Sequence, residues 1–158
     1  MKKLRIFLLL AILAVIFTGC GKEAPAADGT VVYYLNKDVT SIVPVSCKIT
    51  GDGPEIRVEE FLAKLESAPE SVDLRRTIPE SVKILSYTLD RKQLYLDFSA
   101  EYLNMDKATE VLVRAAIVKT MVQVDEVSFI GIRVAGEPIK DSTGSTIGLM
   151  NENTFLDN

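Results

Sequence analysis

The sequence contains no histidine, no tryptophan and two cysteines among 158 residues. Histidine is the commonest general base and the commonest ligand of transition metals, so its absence excludes catalytic triads built on it. Zinc sites are also disfavoured, because the soft ligands left are two cysteines distant from each other in the sequence. We therefore expect no catalytic residues, no metal and no cofactor.

Basic residues are slightly fewer than acidic ones, with 18 Lys and Arg against 22 Asp and Glu, which gives a net charge of −4. Nucleic acids and anionic lipids bind through basic surfaces. The acidic balance therefore predicts that nucleic acid is not a partner.

A long membrane-spanning run is also missing. Residues 2, 3 and 5 are basic, and the apolar block at 6–17 falls short of the ~20 residues that a spanning helix needs. This arrangement is typical of a secretory signal peptide. The string "FTGC", which ends at Cys20, resembles the bacterial lipobox, in which the cysteine thiol is acylated and becomes the first residue after cleavage.

The resemblance to a lipobox divides the N-terminus into a signal peptide at 1–19 and a lipid-anchored Cys20 with a flexible linker at 20–29. Cleavage would leave 15 basic against 22 acidic side chains, a net charge of −7. Acyl chains contribute about 0.8 kcal/mol for each buried methylene, so they would hold the protein on the outer face of the cytoplasmic membrane. The alternative is ordinary secretion with cleavage near Ala26 or Ala27.

If Cys20 is acylated, Cys47 has no partner for an internal disulfide. Its strand-like surroundings favour a small buried side chain. The alternative is an exposed thiol that forms an intermolecular disulfide.

Alternating and β-branched runs predict five strands. Pro44, in the second run, indicates an edge strand or a bulge. Asp90-Arg91-Lys92 is typical of a hairpin connection, with Leu85, Tyr87 and Leu89 on one face of the strand before it. The predicted strands cover 30–36, 42–49, 82–90, 93–98 and 126–134.

Two helices are predicted from apolar residues that recur at helical spacing. The first follows Asp52, a candidate N-cap, and Pro54. The second covers about 106–122. The predicted buried stripes are Val58, Phe61, Leu62 and Leu65 in the first helix, and Ala108, Val111, Leu112, Ala115, Val118 and Val122 in the second.

The order of these elements favours an α+β fold, a two-layer sandwich with two helices packed on a small mixed or antiparallel sheet. The domain would cover 30–139, and the tail at 140–158 is interpreted as a loop or an additional strand. The acidic residues Glu59-Glu60, Asp97 and Asp125-Glu126 are interpreted as solvated, because no apolar pocket is indicated that would separate the pKa values of an acid and a base.

Six strings occur in order along residues 31–139: "VYYL" at 32–35, "IVPVSCKI" at 42–49, "IPESVKIL" at 78–85, "LYLDFSAEY" at 94–102, "VKTM" at 118–121 and "VAG" at 134–136. In their order and spacing they resemble the GerMN domain, which occurs in sporulation and spore-germination lipoproteins. The resemblance implies a non-catalytic extracytoplasmic module, similar in fold to ring-building motifs, that acts by association with proteins. A solute- or peptidoglycan-binding lipoprotein and a hydrolase using carboxylates alone are the alternatives.

The alternation of side chains between the two faces of the predicted strands indicates a binding surface. If the alternate apolar residues of 93–98 and 129–134 face the helices, Tyr95, Phe129 and Arg133 point outward, and Val127 does too. Aromatic side chains and arginine are enriched at the centres of protein interfaces. We expect self-association or docking of a membrane-complex subunit there. In the alternative interpretation, the tail covers this face with Ile147, Leu149 and Phe155.

The anchor prediction is tested by labelling. Labelled palmitate should enter the wild-type protein in its native host, whereas Cys20→Ala should take up none and should leave the membrane fraction, because the acceptor thiol is lost. Equal labelling of the two proteins would contradict the assignment of Cys20.

Overall fold

The structure is a computed structural model that describes residues 29–155. The signal peptide at 1–19, Cys20 and nearly all of the linker lie outside the described residues, so their assignments stay predictions. Within 29–155, no helix is long and apolar enough to cross a membrane.

The first sheet contains β1 (Val31–Asn36), β2 (Ile42–Ser46) and β3 (Leu74–Arg75), with β1 in the centre and both neighbours antiparallel to it. Pro44 lies opposite Tyr33, whose N–H points away from β2. The backbone nitrogen of Pro44 therefore faces the outer edge of the sheet. No strand pairs there, so the missing N–H does not cost an interstrand hydrogen bond. The prediction of an edge strand is confirmed, although β2 ends at Ser46 rather than residue 49.

The second edge of β1 is completed mainly by side chains. Gln123 accepts a hydrogen bond from the N–H of Val31 at 2.9 Å and donates one to its carbonyl at 2.7 Å. The N–H of Tyr33 donates to the Thr120 hydroxyl at 3.1 Å, and the Thr77 hydroxyl donates to the Tyr33 carbonyl at 2.6 Å. β3 pairs with β1 only at Leu35 and Asn36.

The second sheet contains four strands in the order β4-β5-β6-β7, and β5 and β6 are parallel while the other pairs are antiparallel. β5 alternates as predicted, with Leu94, Leu96 and Phe98 buried. The β4–β5 turn places Arg91 and Lys92 at φ 48° and 68°, as a two-residue hairpin turn requires. The strands are β4 (Ile84–Asp90), β5 (Gln93–Phe98), β6 (Phe129–Val134) and β7 (Glu137–Pro138).

Two helices cover the sheets. α1 (Pro54–Glu66) buries the predicted stripe of Val58, Phe61, Leu62 and Leu65. It begins after Gly53, at φ 99° and without a side-chain cap, so the assignment of Asp52 as N-cap is wrong. Pro54 occupies the first turn as expected, where its missing N–H would have no helical partner.

The stripe predicted for α2 (Lys107–Met121) is partly correct, since Ala115 and Val118 are buried and Leu112 and Val122 are half-buried against the core. Ala108 is exposed and Val111 is 42% exposed. α2 packs against β1, β6 and α1, so it buries a wide arc that includes two polar residues. A pattern of apolar residues alone could not place that arc. The buried side chains are Glu110, Val113, Ala115, Ala116, Ile117, Val118, Thr120 and Met121.

Two strand faces also differ from expectation. Leu85 is 55% exposed, because a bulge between Ile84 and Ser86 interrupts the alternation along β4. Val127 is 3% exposed rather than outward-facing. Its N–H donates to the Val124 carbonyl in a turn before β6, so the two-residue period does not extend back to it.

A buried polar cluster fixes the N-terminal half of α2. The Tyr102 hydroxyl donates to Glu110 Oε1 at 3.0 Å, and Arg114 Nη2 donates to Oε2 at 3.3 Å. Arg114 Nε lies 3.1 Å from Oε1, as an ion pair without hydrogen-bond geometry. Burial, and then the Glu110 carboxylate, raise the pKa of Tyr102. The guanidinium also lies 5.7 Å from the centre of the Phe155 ring.

The tail folds back onto the second sheet. Asp141 accepts hydrogen bonds from the backbone N–H groups of Thr143 and Ser145, which forms a tight turn. Met150 then exchanges two backbone hydrogen bonds of 2.8 Å with Ile130 in β6. The α+β class is thus confirmed, with the strands divided between two small sheets and both helices packed on them.

Replacement of Gln123 tests how strongly the second edge of β1 depends on side chains. Gln123→Ala removes the partners of both the N–H and the carbonyl of Val31, which should lower the free energy of unfolding by about 2 kcal/mol. Gln93→Ala is the matched control. The Gln93 side chain accepts a hydrogen bond from the Tyr95 hydroxyl, and the loss of this bond should lower the free energy of unfolding by about 0.5 kcal/mol. Urea unfolding measures both, and equal losses would contradict the special role of Gln123.

Candidate interaction surface

The outer sheet face is the side of β4–β7 that points away from the helices. The parallel register places Gln93 beside Phe129, Tyr95 beside Gly131 and Asp97 beside Arg133. Their neighbours in each strand are buried. The three predicted binding residues, Tyr95, Phe129 and Arg133, therefore lie on the same face.

Tyr95 and Arg133 form a stacked pair on this face. The Arg133 guanidinium carbon lies 4.4 Å from the centre of the Tyr95 ring, a cation–π geometry. The ring lies over Gly131, where a Cβ would be 2.6 Å from the Tyr95 ring carbon Cδ1. Glycine at 131 is therefore required for the ring to lie flat. Sequence reasoning missed Gly131, although a glycine inside a strand is itself a signal of close approach.

Phe129 lies at the start of β6 and is 39% exposed. It borders a shallow depression of about 420 Å³ with Val122, Ser128, Asn151 and Glu152. The adjacent N–H groups of Ser128 and Phe129 both donate to the Lys92 carbonyl, at 2.9 and 3.1 Å, which fixes this part of the chain. Phe129 thus combines a fixed backbone with an accessible aromatic ring.

The tail forms one border of the outer sheet face. Leu149 Cδ2 lies 3.3 Å from the position of a Gly131 Cβ, and Ile147 and Leu149 line a groove of about 270 Å³ with Tyr95 and Arg133. Phe155 lies against Arg114 instead. Of the three tail residues considered as a cover, two border the groove, while Tyr95 is half-buried and Phe129 and Arg133 stay exposed.

Cys47 lies on another part of the domain. It is half-buried, packs against the core and borders an open cleft of about 670 Å³ between the first sheet and the end of α1. The aromatic ring of Tyr34 lines this cleft, and its hydroxyl donates to the Lys64 carbonyl at 3.2 Å. Burial raises the pKa of Tyr34, with smaller contributions from Cys47 and Glu70.

Four of the acidic residues considered from the sequence, Glu59, Glu60, Asp97 and Asp125, contact other parts of the domain. Glu60 accepts hydrogen bonds from Thr50 N–H and Gly51 N–H, which lower its pKa. Within the described part of the chain, no group of three or more Cys, Asp or Glu residues is arranged to hold a metal ion. Among the other acidic residues, Glu59 accepts a hydrogen bond from the Tyr87 hydroxyl at 2.9 Å and Asp97 accepts one from Gly136 N–H at 2.9 Å. Asp125 forms an ion pair with Arg57 at 3.5 Å.

Two helices on two small sheets define the class of the domain as α+β. Residues 31–140 match the model of the Germane family, described as sporulation and spore germination. The chain belongs to this family, which confirms the resemblance seen in the sequence. Among curated proteins, none matches the sequence.

Solved structures agree in fold. The first GerMN domain of the sporulation protein GerM from Bacillus subtilis is 17% identical, with a TM-score of 0.61 over 75% of this chain and 92% of that domain. The tandem GerMN domains of GerM give 0.58 at 17% identity, with the same 75% of this chain covered but 44% of theirs. A candidate lipoprotein from Clostridium perfringens is 22% identical, with a TM-score of 0.54 over 78% of this chain and 86% of its own.

Proposed function

We propose that this protein is a lipid-anchored extracytoplasmic module of sporulation or spore germination that acts by protein–protein association, without catalysis. Membership of the Germane family supports the biological process. The signal-peptide and lipobox pattern ending at Cys20 supports the anchor, and the likeness in fold to a candidate lipoprotein is consistent with it. The membrane is then one partner, through the lipid, and a protein or a second copy is the other.

The outer sheet face is the observation that carries the association role. A sheet face that meets only water should be polar. Here it presents the Tyr95–Arg133 stack and the exposed ring of Phe129. Aromatic residues and arginine contribute most to binding energy when a partner excludes water from them. The proposed binding residues are therefore Tyr95, Phe129 and Arg133.

A non-catalytic role has two supports. The sequence lacks histidine, the residue most often used as a general base near neutral pH. In addition, Glu59, Glu60 and Asp97 are engaged in contacts that hold loops and strands together. Mutation of any of them is therefore expected to change stability rather than a reaction.

The association role is tested with Tyr95→Glu and Phe129→Glu. A carboxylate in place of either ring puts a charge in the centre of the contact, so recovery of co-purifying proteins from membranes of sporulating cells should fall roughly 10-fold or more. Quantitative mass spectrometry of the captured proteins measures this, and sedimentation velocity of the purified chain measures self-association.

Val72→Glu is the matched control, because Val72 is 86% exposed in a loop outside both sheets. It should retain wild-type recovery. Circular dichroism must first show that each variant is folded. If folded Tyr95→Glu and Phe129→Glu both retain every wild-type partner and the wild-type oligomeric state, the outer sheet face is not the binding surface.

A further inference from the structure

The outer edge of β4 has backbone groups available for another strand. The two-residue turn makes Asp90 and Gln93 a hydrogen-bonded pair, so Asp90, Thr88 and Ser86 bond to β5. Tyr87 and Leu89 must then point their N–H and carbonyl groups away from the sheet. No strand among residues 29–155 pairs with this edge.

This edge is protected less than the other strand edges of the described chain. Pro44 removes a donor from the outer edge of β2, and β7 contains only two residues. Proteins commonly block strand edges with proline, lysine or very short strands. β4 has no charged side chain and no proline from Ile84 to Leu89, and its bulge affects only the first residues. Leu85, at the bulge, is 55% exposed.

Carboxylates of α1 lie close to the same edge. Glu59 Oε1 accepts the Tyr87 hydroxyl at 2.9 Å. Burial and the hydrogen bond to Glu59 raise the pKa of Tyr87. Glu55 lies one helical turn before Glu59, so its carboxylate lies on the same side of α1. An added strand would lie about 4.8 Å beyond β4. Its side chains on the helix side would then meet Glu55 and Glu59.

Charged residues at the two ends of β4 limit how far the negative charge of Glu55 and Glu59 extends along its edge. Lys83 precedes β4 and its ammonium donates to the Glu80 carbonyl at 3.1 Å, whereas at the other end Arg91 lies 4.0 Å from the carboxylate of Asp90, which offsets its charge. A segment with positive charge is therefore favoured beside the centre of β4 and disfavoured at the end next to Lys83. The complementary occupant is short and extended.

We propose that β4 binds a short, extended segment of a partner protein by strand addition, and that this segment carries lysine or arginine at alternate positions facing Glu55 and Glu59. Backbone hydrogen bonds to Tyr87 and Leu89 supply the affinity, and the two carboxylates select the charge. The proposal rests on the proposed function, since it specifies how one partner of an association module docks.

The test uses two short acetylated peptides, one alternating lysine with valine and the other alternating glutamate with valine. Each is titrated against the detergent-solubilised full chain and followed by fluorescence anisotropy. The wild-type protein should bind the lysine peptide roughly 10-fold more tightly than the glutamate peptide, and added salt should reduce the difference. Glu55→Lys with Glu59→Lys should reverse the preference.

A third peptide separates strand addition from simple charge attraction. It is the lysine peptide with its backbone nitrogens methylated at every second residue, on the edge that would face β4, and it should lose binding because those donors are gone. Equal binding of the lysine and glutamate peptides, undiminished binding of the methylated peptide, or no binding of the lysine peptide would each overturn the proposal.

Two further measurements distinguish this proposal from the proposed function. Phe129→Glu should bind the lysine peptide as the wild type does, because Phe129 lies on the outer sheet face and not on the β4 edge. Loss of cellular partners in Phe129→Glu without any peptide binding to the wild type would retain the association role and reject the β4 site. Sedimentation that shows a dimer abolished by Leu85→Lys would assign the edge to a second copy and overturn the partner segment.

Discussion

The completion of β1 by side chains, chiefly from the C-terminal end of α2 and the turn after it, is the constraint on which the rest of the domain depends. A buried strand with one unsatisfied edge would be costly, because each buried N–H or carbonyl without a partner loses about 1–3 kcal/mol. Gln123, Thr120 and Thr77 satisfy the positions that β3 does not reach. This contact fixes the C-terminal end of α2 against the first sheet. Because α2 also packs on β6, it sets the position of the second sheet.

The elements with a single buried face were predictable from the sequence. The stripe of α1 and the alternation of β5 are correct, because each packs on one side only. The buried side of α2 was predicted only in part, because this helix is buried on several sides and its buried arc contains Glu110 and Thr120. Leu85 and Val127 were assigned to wrong faces, because a bulge and a turn interrupt the two-residue period that the assignment assumed.

The regular two-residue alternation of β5 and β6, which can be read from the sequence, places the predicted surface residues on one face. Tyr95, Phe129 and Arg133 lie in two parallel strands whose alternation is regular. The contacts that shape the surface could not be predicted, because they join distant parts of the chain. Gly131 makes room for the Tyr95 ring, and Leu149 returns from the tail to lie beside it. At 17–22% identity the solved relatives share the fold, so the chemistry of this face has to be tested in this protein.

Site-specific photo-crosslinking tests the central claim, that the outer sheet face contacts another protein, most directly. A benzophenone side chain is introduced at Phe129, and separately at Val72 and at Val111, which are exposed elsewhere on the domain. Irradiation of sporulating cells should give a discrete crosslinked product from position 129 and none from the other two positions. Products from Val72 or Val111 with none from Phe129 would contradict the assignment of the outer sheet face.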